Sequence, residues 1–382
     1  MATDVRFISA DDHVIEHPEV WTRRLSQPKW GGRIPHLERQ ADGSDCWLVD
    51  GVKHHLLGNG SAGALMADRA MAPRTWSAVP QAAWTPAQRL YALDAAGIDY
   101  SVLYPTIAGL AGETFGAIRD PELELDCVRA YNDWLIEEWA GCSNRFIPQC
   151  IIPLGPIDAT VAEIKRAVNT GHKGVIMPPV PRHLRDLPHI NDGYYDPIWR
   201  TCEELAVPLC FHAGASPELQ MPAYEGFSPA IAAAFDAVAR PVSAVPIVSN
   251  LIVSRVLERF PSLNVVFADT SLGWISFALE ATDYEFDQFG VSGQIPYELK
   301  PSEAFRRQCY VVGWYDQANL RRACEYPGAA NILWAASLPM ADSSWPNSLS
   351  DCEACLQGLP EQTRAQVLWR NAAALYKVNE RN

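Results

Sequence analysis

Two residues near the N-terminus, Asp11 and His13, are of types that bind metal ions and lie two positions apart in the stretch ISADDH (8–13). On a β-strand, residues two apart point to the same face, so both side chains can reach one point. A third candidate, His212, follows the apolar stretch PLCF. Two imidazoles and one carboxylate suit Zn²⁺, Mn²⁺ or Fe²⁺ with open coordination positions. The alternative is a hydrogen-bonded Asp–His pair and an unrelated buried histidine.

Further candidates for chemistry follow apolar stretches later in the chain. Asp269 follows NVVFA, Ser337 follows NILWAA, and Asp342 lies five residues beyond Ser337. Together with His212 these are the candidate catalytic residues, and the two carboxylates are the candidate general acids or bases. For Asp342 the alternative is a turn or helix-capping role. Large side chains suit an aromatic substrate, and the candidate substrate contacts are Trp314, Tyr315, Met340 and Trp345, although Trp is also a common core residue.

Eight short apolar stretches alternate with segments of helical periodicity along the chain. Most of them lack the polar alternation of a strand with one wet face, so they predict strands buried on both faces, as in a parallel sheet. The predicted strands are 6–11, 100–105, 145–154, 173–178, 208–213, 264–269, 309–314 and 331–337. The predicted helices are 86–97, 121–141, 158–170, 195–206, 246–260, 274–289, 316–326 and 349–376, with helix-entry residues at Pro121 and Asp158.

This alternation favours an α/β fold, a single (β/α)8 TIM barrel domain over residues 1–382. An open sheet that binds a dinucleotide is disfavoured because no Gly-rich phosphate loop follows the first strand. Active sites of TIM barrels lie at the carboxyl ends of the strands. All of the candidate metal ligands, together with Asp269 and Ser337, follow or end predicted strands, so we expect them to converge there.

Residues 17–85 interrupt the alternation after the first strand, and a hairpin is predicted about Asp50-Gly51. An insertion at this point emerges on the barrel face that carries the active-site loops. We therefore expect residues 17–85 to form a cap, or lid. The alternative is a surface insertion without a role at the site.

Several spaced motifs resemble the amidohydrolase-related metal-dependent hydrolases, in the branch that contains the aminocarboxymuconate-semialdehyde and γ-resorcylate decarboxylases. The motifs cover nearly the whole chain and include ISADDHVIEHPEVW, AGIDYSVLYPT, GHKGVIMPP, LERFPSLNVVFADTSLGWI and WRNAAALY. This resemblance implies a TIM barrel with one metal site at its mouth. Since this fold hosts hydrolases, decarboxylases and hydratases, it does not specify the reaction.

The resemblance also assigns roles to individual positions. It makes Asp11, His13 and His212 metal ligands, and it places Asp269 where relatives carry a His or Glu that moves protons or binds substrate. Relatives continue their last strand with roughly Ser-Asp-Phe/Tyr-Pro-His, in which the Asp binds metal and takes part in proton transfer. Here Ser337 stands in place of that Asp, and Met340 in place of the His.

The loss of this carboxylate leaves three interpretations open. Either Asp269 or Asp342 supplies it, or a bound metal serves chemistry that needs no activated water, such as decarboxylation, or the site works without metal. We expect an enzyme that acts on a small, aromatic carboxylic or carbonyl substrate by hydrolysis or lyase chemistry, with a divalent metal, Zn²⁺ first and Mn²⁺ or Fe²⁺ as alternatives. The competing hypothesis is a metal-free enzyme or a non-catalytic relative that binds a ligand.

The composition limits the partners and the compartment. A net charge of −14 over 382 residues disfavours nucleic acid and anionic membranes, which bind cationic surfaces. No apolar run approaches membrane-spanning length, and the N-terminus lacks a signal-peptide pattern. Ten cysteines are then most simply reduced thiols of a cytoplasmic protein. The expected partner is a small-molecule substrate, and a homodimer is the assembly considered.

Overall fold

Eleven strands build two sheets. The computed structural model describes residues 7–58, 60–69, 71–216, 219, 225–288 and 297–378. The strands are β1 (Ile8–His13), β2 (His36–Arg39), β3 (Asp45–Val49), β4 (Val52–His54), β5 (Tyr100–Tyr104), β6 (Phe146–Ile151), β7 (Gly174–Ile176), β8 (Leu209–His212), β9 (Val265–Ala268), β10 (Cys309–Gly313) and β11 (Ile332–Trp334). β1 and β5 to β11 form one parallel sheet in chain order, and β2 to β4 form an antiparallel sheet. All eight predicted barrel strands are confirmed.

The parallel sheet closes towards a barrel where the segment after β11 meets β1. Ser337 N donates to Asp11 O at 3.0 Å, and His13 N donates to Leu338 O at 2.7 Å. Ala336 N adds a bond to the Ser9 hydroxyl at 2.8 Å. These bonds continue the ladder past the end of β11, and the predicted TIM barrel is confirmed. The strands are buried on both faces, which explains their continuous apolar sequences.

Helices surround the barrel and connect its strands. They are α1 (Glu19–Thr22), α2 (Gln27–Trp30), α3 (Gln81–Trp84), α4 (Pro86–Ala95), α5 (Glu113–Gly116), α6 (Pro121–Trp134), α7 (Ile157–Thr170), α8 (Asp196–Leu205), α9 (Pro229–Ala239), α10 (Ala244–Val253), α11 (Val256–Arg259), α12 (Ile275–Gln288), α13 (Pro301–Gln308), α14 (Gln317–Ala323), α15 (Ser348–Cys355), α16 (Glu361–Ala365) and α17 (Asn371–Leu375). Six of them, α1, α2, α3, α5, α9 and α13, were not predicted. The sequence of α9, PAIAAAFDAVA, is apolar on nearly every side and so carries no helical periodicity.

The two predicted helix entries have different outcomes. Pro121 begins α6 as predicted, and the Asp120 side chain caps it by accepting from Glu122 N and Leu123 N. The predicted entry at Asp158 is wrong, because Pro156 is the N-cap of α7 and Asp158 lies within the first turn. An acidic residue in a first turn interacts favourably with the helix dipole, so an Asp near a helix start can be either a cap or a first-turn residue.

One helical stretch, Ala234–Val253, has the length and composition to cross a membrane. The expectation that no apolar run approaches that length is therefore wrong for this stretch. Buried helices of soluble proteins pass the same test, and 39% of the stretch is buried here. It also contains Arg240, whose side chain forms ion pairs with residues at the barrel mouth.

Residues 17–85 connect β1 to α4, and apolar side chains of this insertion, among them Trp21 and Trp47, pack in the main hydrophobic core. The predicted hairpin is confirmed, with Asp50 and Gly51 joining β3 to β4 at φ values of 48° and 78°. The later part of the insertion contacts the segment after β11: Ala64 N donates to Pro339 O at 3.1 Å, and Ala341 N donates to the Ser61 hydroxyl at 2.7 Å. Within the insertion, Asn59 and Ala70 lie outside the described residues. The contacts place residues 61–64 at the barrel mouth, and the function of the whole insertion as a cap stays a prediction.

Candidate active site

Strands β1 and β8 bring three potential metal ligands together at the barrel mouth. His13 Nε2 lies 3.4 Å from Asp11 Oδ1, and His212 Nε2 lies 3.6 Å from Asp11 Oδ2. The two Nε2 atoms are 3.2 Å apart. All three side chains are buried, and one ligand atom from each lies within 4.8 Å of the others. The structure thus assembles the three residues that the sequence singled out.

The hydrogen bonds around this group leave its donor atoms free for a metal. His13 Nδ1 lies 3.0 Å from Pro105 O, and His212 Nδ1 contacts Ala213 O. Because a carbonyl only accepts, each Nδ1 carries a proton, and the neutral form of each ring has its lone pair on Nε2. Buried Asp11 Oδ1 has no hydrogen-bond partner among the described residues. Two facing lone pairs and an unpaired carboxylate oxygen fit a divalent cation, and such second-sphere carbonyls are typical of metal-binding histidines.

The charges of the group depend on each other. Burial would raise the pKa of Asp11, but the two imidazoles hold that pKa well below its usual range. Burial would lower the pKa of His212, but the Asp11 carboxylate raises it to about 9. Without a metal, the group therefore holds a proton on an imidazole beside the carboxylate. A metal ion would replace that proton as the positive charge.

Asp12 points away from this group, as the alternation of a strand requires. Its carboxylate accepts from the Ser101 hydroxyl at 2.5 Å and from Leu338 N at 2.9 Å. Burial raises the pKa of Asp12 to about 6, against the opposing effects of Ser101 and of the charge of Arg89. Asp12 therefore supports the barrel closure and is not a ligand.

A second charged group at the mouth centres on Arg240, which the sequence analysis did not single out. Arg240 Nη1 donates to Asp269 Oδ2, and Nη2 donates to Asp342 Oδ2 at 3.3 Å. Its Nε lies 3.4 Å from Asp236 Oδ2. The aliphatic part passes Gly214, where a Cβ atom would lie only 3.2 Å from Arg240 Cδ. No sequence signal marks Arg240, because it lies between two helices rather than after a strand.

Asp269 and Asp342 are placed by this arginine and not by the potential ligand group. Among the described residues, only Asp11, His13 and His212 form a group of potential ligands. Burial raises the pKa of Asp269 to about 6, and Arg240 and then His212 oppose that rise. Asp342 is not a helix cap either, since Asn347 is the N-cap of α15.

Ser337 occupies a constrained backbone position beside β1. Its φ is 57°, in the left-handed region that side-chain-bearing residues rarely adopt. Ser337 is only 3% exposed, and its backbone N–H donates a hydrogen bond to Asp11 O. Met340 N donates to Ser337 O at 2.9 Å, and Met340 is also buried. Both residues therefore lie in the turn that closes the barrel next to the ligand-bearing strand.

The aromatic residues predicted to contact substrate have different surroundings in the structure. Trp314 is buried and packs edge to face against Tyr315, with ring centroids 4.6 Å apart. Tyr315 is half exposed, and burial raises the pKa of its phenol. The Trp345 indole donates to Ala92 O of α4 at 2.9 Å, and its role as a substrate contact stays a prediction.

A cavity of about 1140 Å³ lies between the insertion and the barrel mouth. Its walls include residues between Gln40 and Arg74 of the insertion, Ala234 and Ala237 of α9, and Ala341 with Asp342 of the segment after β11. The carboxylate that pairs with Arg240 thus also faces this cavity. None of the potential metal ligands Asp11, His13 and His212 lines this cavity.

Comparisons with known proteins give consistent matches. The model of the amidohydrolase family matches residues 35–378. The γ-resorcylate decarboxylase of Rhizobium sp. (strain MTP-10005) is 24% identical over 311 residues, 76% of this chain and 86% of that protein. An amidohydrolase of Mycobacterium avium subsp. paratuberculosis K-10 superposes with a TM-score of 0.76 at 21% identity, over 98% of this chain and 100% of the other.

A further solved structure contains a metal. The dihydroxybenzoic acid decarboxylase of Polaromonas sp. JS666, with bound manganese and the inhibitor 2-nitroresorcinol, superposes with a TM-score of 0.64 at 17% identity, over 98% of each chain. At such identities the structural matches show a common fold. The family match, in contrast, covers residues 35–378, which is most of the chain, and begins after β1 and α2. The chain belongs to the amidohydrolase family.

Proposed function

We propose that this protein is a metal-dependent decarboxylase of an aromatic carboxylic acid. Two of the relatives described above are named for reactions of this kind, and one of them was solved with manganese. The Asp11, His13 and His212 group supplies the donor set for a divalent metal. Manganese is therefore the first choice for this chain, and Zn²⁺ stays as the alternative that the sequence predicted.

The observation that carries the proposal is the serine at position 337. Hydrolysis at such a site needs a base beside the metal to take a proton from water. A serine hydroxyl does not accept that proton at neutral pH, and Asp269 and Asp342 contact Arg240 and are not members of the potential ligand group, so neither is a base beside the metal. Decarboxylation needs no activated water, so the groups that remain are sufficient for it.

The bound metal would hold and polarise oxygen atoms of the substrate. When the bond to the carboxyl group breaks, CO₂ leaves and the electron pair stays on the ring carbon, which must then take a proton. Asp269 is the residue we assign as proton donor. Burial raises its pKa to about 6, so a useful fraction of it carries a proton just below neutral pH. Solvent then returns the proton to Asp269.

Apolar side chains at the mouth favour this reaction because they exclude water from the carbanion-like ring. Trp314 and Met340 are buried there, and the half-exposed Tyr315 packs edge to face against Trp314. The insertion would complete the enclosure, as its contacts with the segment after β11 support. An aromatic ring bound against these residues would present its carboxyl group to the metal.

Release of CO₂ from 2,6-dihydroxybenzoate by the manganese-loaded protein tests this proposal. Asp269→Asn should lower kcat about 100-fold with unchanged metal content, because a positioned acid contributes roughly 10²–10⁴-fold. Asp316→Asn is the matched control: this buried carboxylate follows β10 and is held by Ser271 and Leu272 N. It should keep kcat. If Asp269→Asn keeps wild-type kcat, the assigned proton donor is wrong; if a panel of aromatic carboxylates releases no CO₂ from fully metal-loaded protein, the reaction is wrong.

A further inference from the structure

We propose that Arg240 binds an anionic group of the substrate, and that the Asp342 carboxylate occupies that position until the substrate enters. This inference rests on the proposed function only in taking an aromatic carboxylate as the ligand. It identifies a specificity-determining residue and a competing side chain at the barrel mouth. Neither belongs to the metal-ligand group.

The carboxylates on Arg240 are not equivalent. Asp269 has 4% of its side chain exposed and contacts Nη1 closely, so it is a permanent partner. Asp342 contacts Nη2 at 3.3 Å and has 30% of its side chain exposed. An ion pair of that exposure contributes little to stability, so a ligand carboxylate can displace it at small cost. A guanidinium also presents planar N–H pairs that match a carboxylate.

The cavity reaches Asp342 but not Arg240. A rotation of the Asp342 side chain would therefore open Nη2 to a ligand that enters through the cavity. Because His212 pairs with Ala268, the residue before Asp269, on neighbouring strands β8 and β9, such a ligand would also lie near the metal-ligand group.

The backbone around Asp342 is fixed, so the exchange involves only the side chain. Ala341 N donates to the Ser61 hydroxyl at 2.7 Å, and Ser343 N donates to Met340 O at 3.2 Å. Arg69 adds a bond from Nη1 to Ser343 O at 2.6 Å. Arg240 itself is held against Gly214, as described above, and by its bond to Asp269. The receiving guanidinium is therefore in place before the ligand arrives.

Binding of benzoate to the manganese-loaded protein tests the inference without any reaction. Asp342→Asn removes the competing charge and should tighten the benzoate Kd about fivefold, measured by isothermal titration calorimetry. Asp236→Asn is the matched control. Asp236 lies 3.4 Å from Arg240 Nε, nearly the distance of Asp342 from Nη2, but it does not line the cavity. It should change the Kd less than twofold.

A double variant separates displacement from a general charge effect. In an Arg240→Met background, Asp342→Asn should no longer tighten benzoate binding, whereas a long-range charge effect would persist. Binding of neutral benzamide should be insensitive to Asp342→Asn. Equal effects of the Asp342 and Asp236 variants, or no detectable benzoate binding to Asp342→Asn, would overturn the inference. If Arg240→Met does not fold, Arg240→Lys replaces it, because a lysine keeps the charge without the planar pair of donors.

The result is independent of the reaction class. A difference between the two Asn variants with no CO₂ release would retain the anion site and reject the decarboxylase proposal. CO₂ release, together with equal benzoate affinities of the two Asn variants, would retain the decarboxylase proposal and reject the anion site.

Discussion

Two buried histidines at opposite ends of the barrel have similar surroundings, but their pKa values are shifted in opposite directions. His212 ends β8 at the mouth, and His172 lies just before β7 at the other end. Each is about 2% exposed or less, and each has its Nδ1 on a backbone carbonyl, Ala213 O for His212 and Ala167 O for His172. Burial lowers the pKa of His172 to about 4. In contrast, the pKa of His212 is raised to about 9.

The difference lies at the second ring nitrogen. His172 Nε2 has no hydrogen-bond partner among the described residues, so burial decides. His212 Nε2 faces Asp11 Oδ2 at 3.6 Å and His13 Nε2 at 3.2 Å, so the carboxylate outweighs burial. A carbonyl on Nδ1 thus fixes the tautomer at both ends, while Asp11, with a smaller contribution from Asp269, favours positive charge at the mouth. That charge is a proton or, in the proposed enzyme, a metal.

The largest expected effect comes from removing that carboxylate. Asp11→Asn keeps the side-chain shape but leaves two facing imidazole nitrogens without a counter-charge. We expect metal affinity to fall about 1,000-fold, in line with the cost of breaking a buried charge pair, and activity to fall with it. Metal retained after dialysis, measured by mass spectrometry, checks this.

The adjacent residue on β1 provides the control for this variant. Asp12→Asn changes the same side-chain type on the opposite face of the strand, where Ser101 and Leu338 N are its partners. It should lower the melting temperature but retain metal. Loss of metal from both variants alike would mean that the strand, and not the Asp11 carboxylate, determines binding.

The next effect concerns the histidine at the other end. Because the pKa of His172 is about 6.5 when unfolded and about 4 when folded, the unfolded chain binds more protons between these values. The free energy of unfolding should therefore fall as pH drops from 6.5 to 4, by about 3 kcal/mol from this residue. In His172→Asn this contribution should vanish, as measured by urea unfolding at both pH values.

The mouth histidine should show the reverse slope in metal-free protein. The pKa of His212 is raised on folding, so its stabilising contribution is complete below pH 6.5 and is lost as pH rises towards about 9.

If His172→Asn shows the same acid slope as the parent protein, the His172 imidazole is not buried in its neutral form, and the contrast between the two ends fails.

Much of the metal-ligand group could be predicted because its geometry is local. The two-residue spacing of Asp11 and His13 fixes a common face on any strand, and the apolar run before His212 marks a barrel strand. Barrel topology then brings strand ends together without further information. The same reasoning placed Ser337 beside β1.

The second charged group was not predictable because it depends on long-range packing. Arg240 reaches Asp269 and Asp342 only because the connection after β8 folds back across Gly214. Nothing in the apolar sequence of α9 indicates that fold-back. The contact of Trp345 with α4 was not predictable for a related reason, since it depends on where the segment after β11 turns.

The smallest effect tests whether a second carboxylate at the mouth acts as Asp11 does. Ser337→Asp should raise metal affinity about tenfold, by adding an anion beside the group, and should lower decarboxylase activity. The position tolerates the change, because Asp adopts a φ near 57° more readily than most residues. Chelator titration and kcat measure the two effects. Ser337→Asn is the control, since it adds the same volume without the charge and should leave metal affinity unchanged.

Unchanged affinity with faster turnover in the Asp variant would mean that Ser337 is a loss of function relative to the family. Higher affinity with slower turnover would mean that the serine keeps room for the substrate beside the metal, which is the property that separates this site from a hydrolytic one.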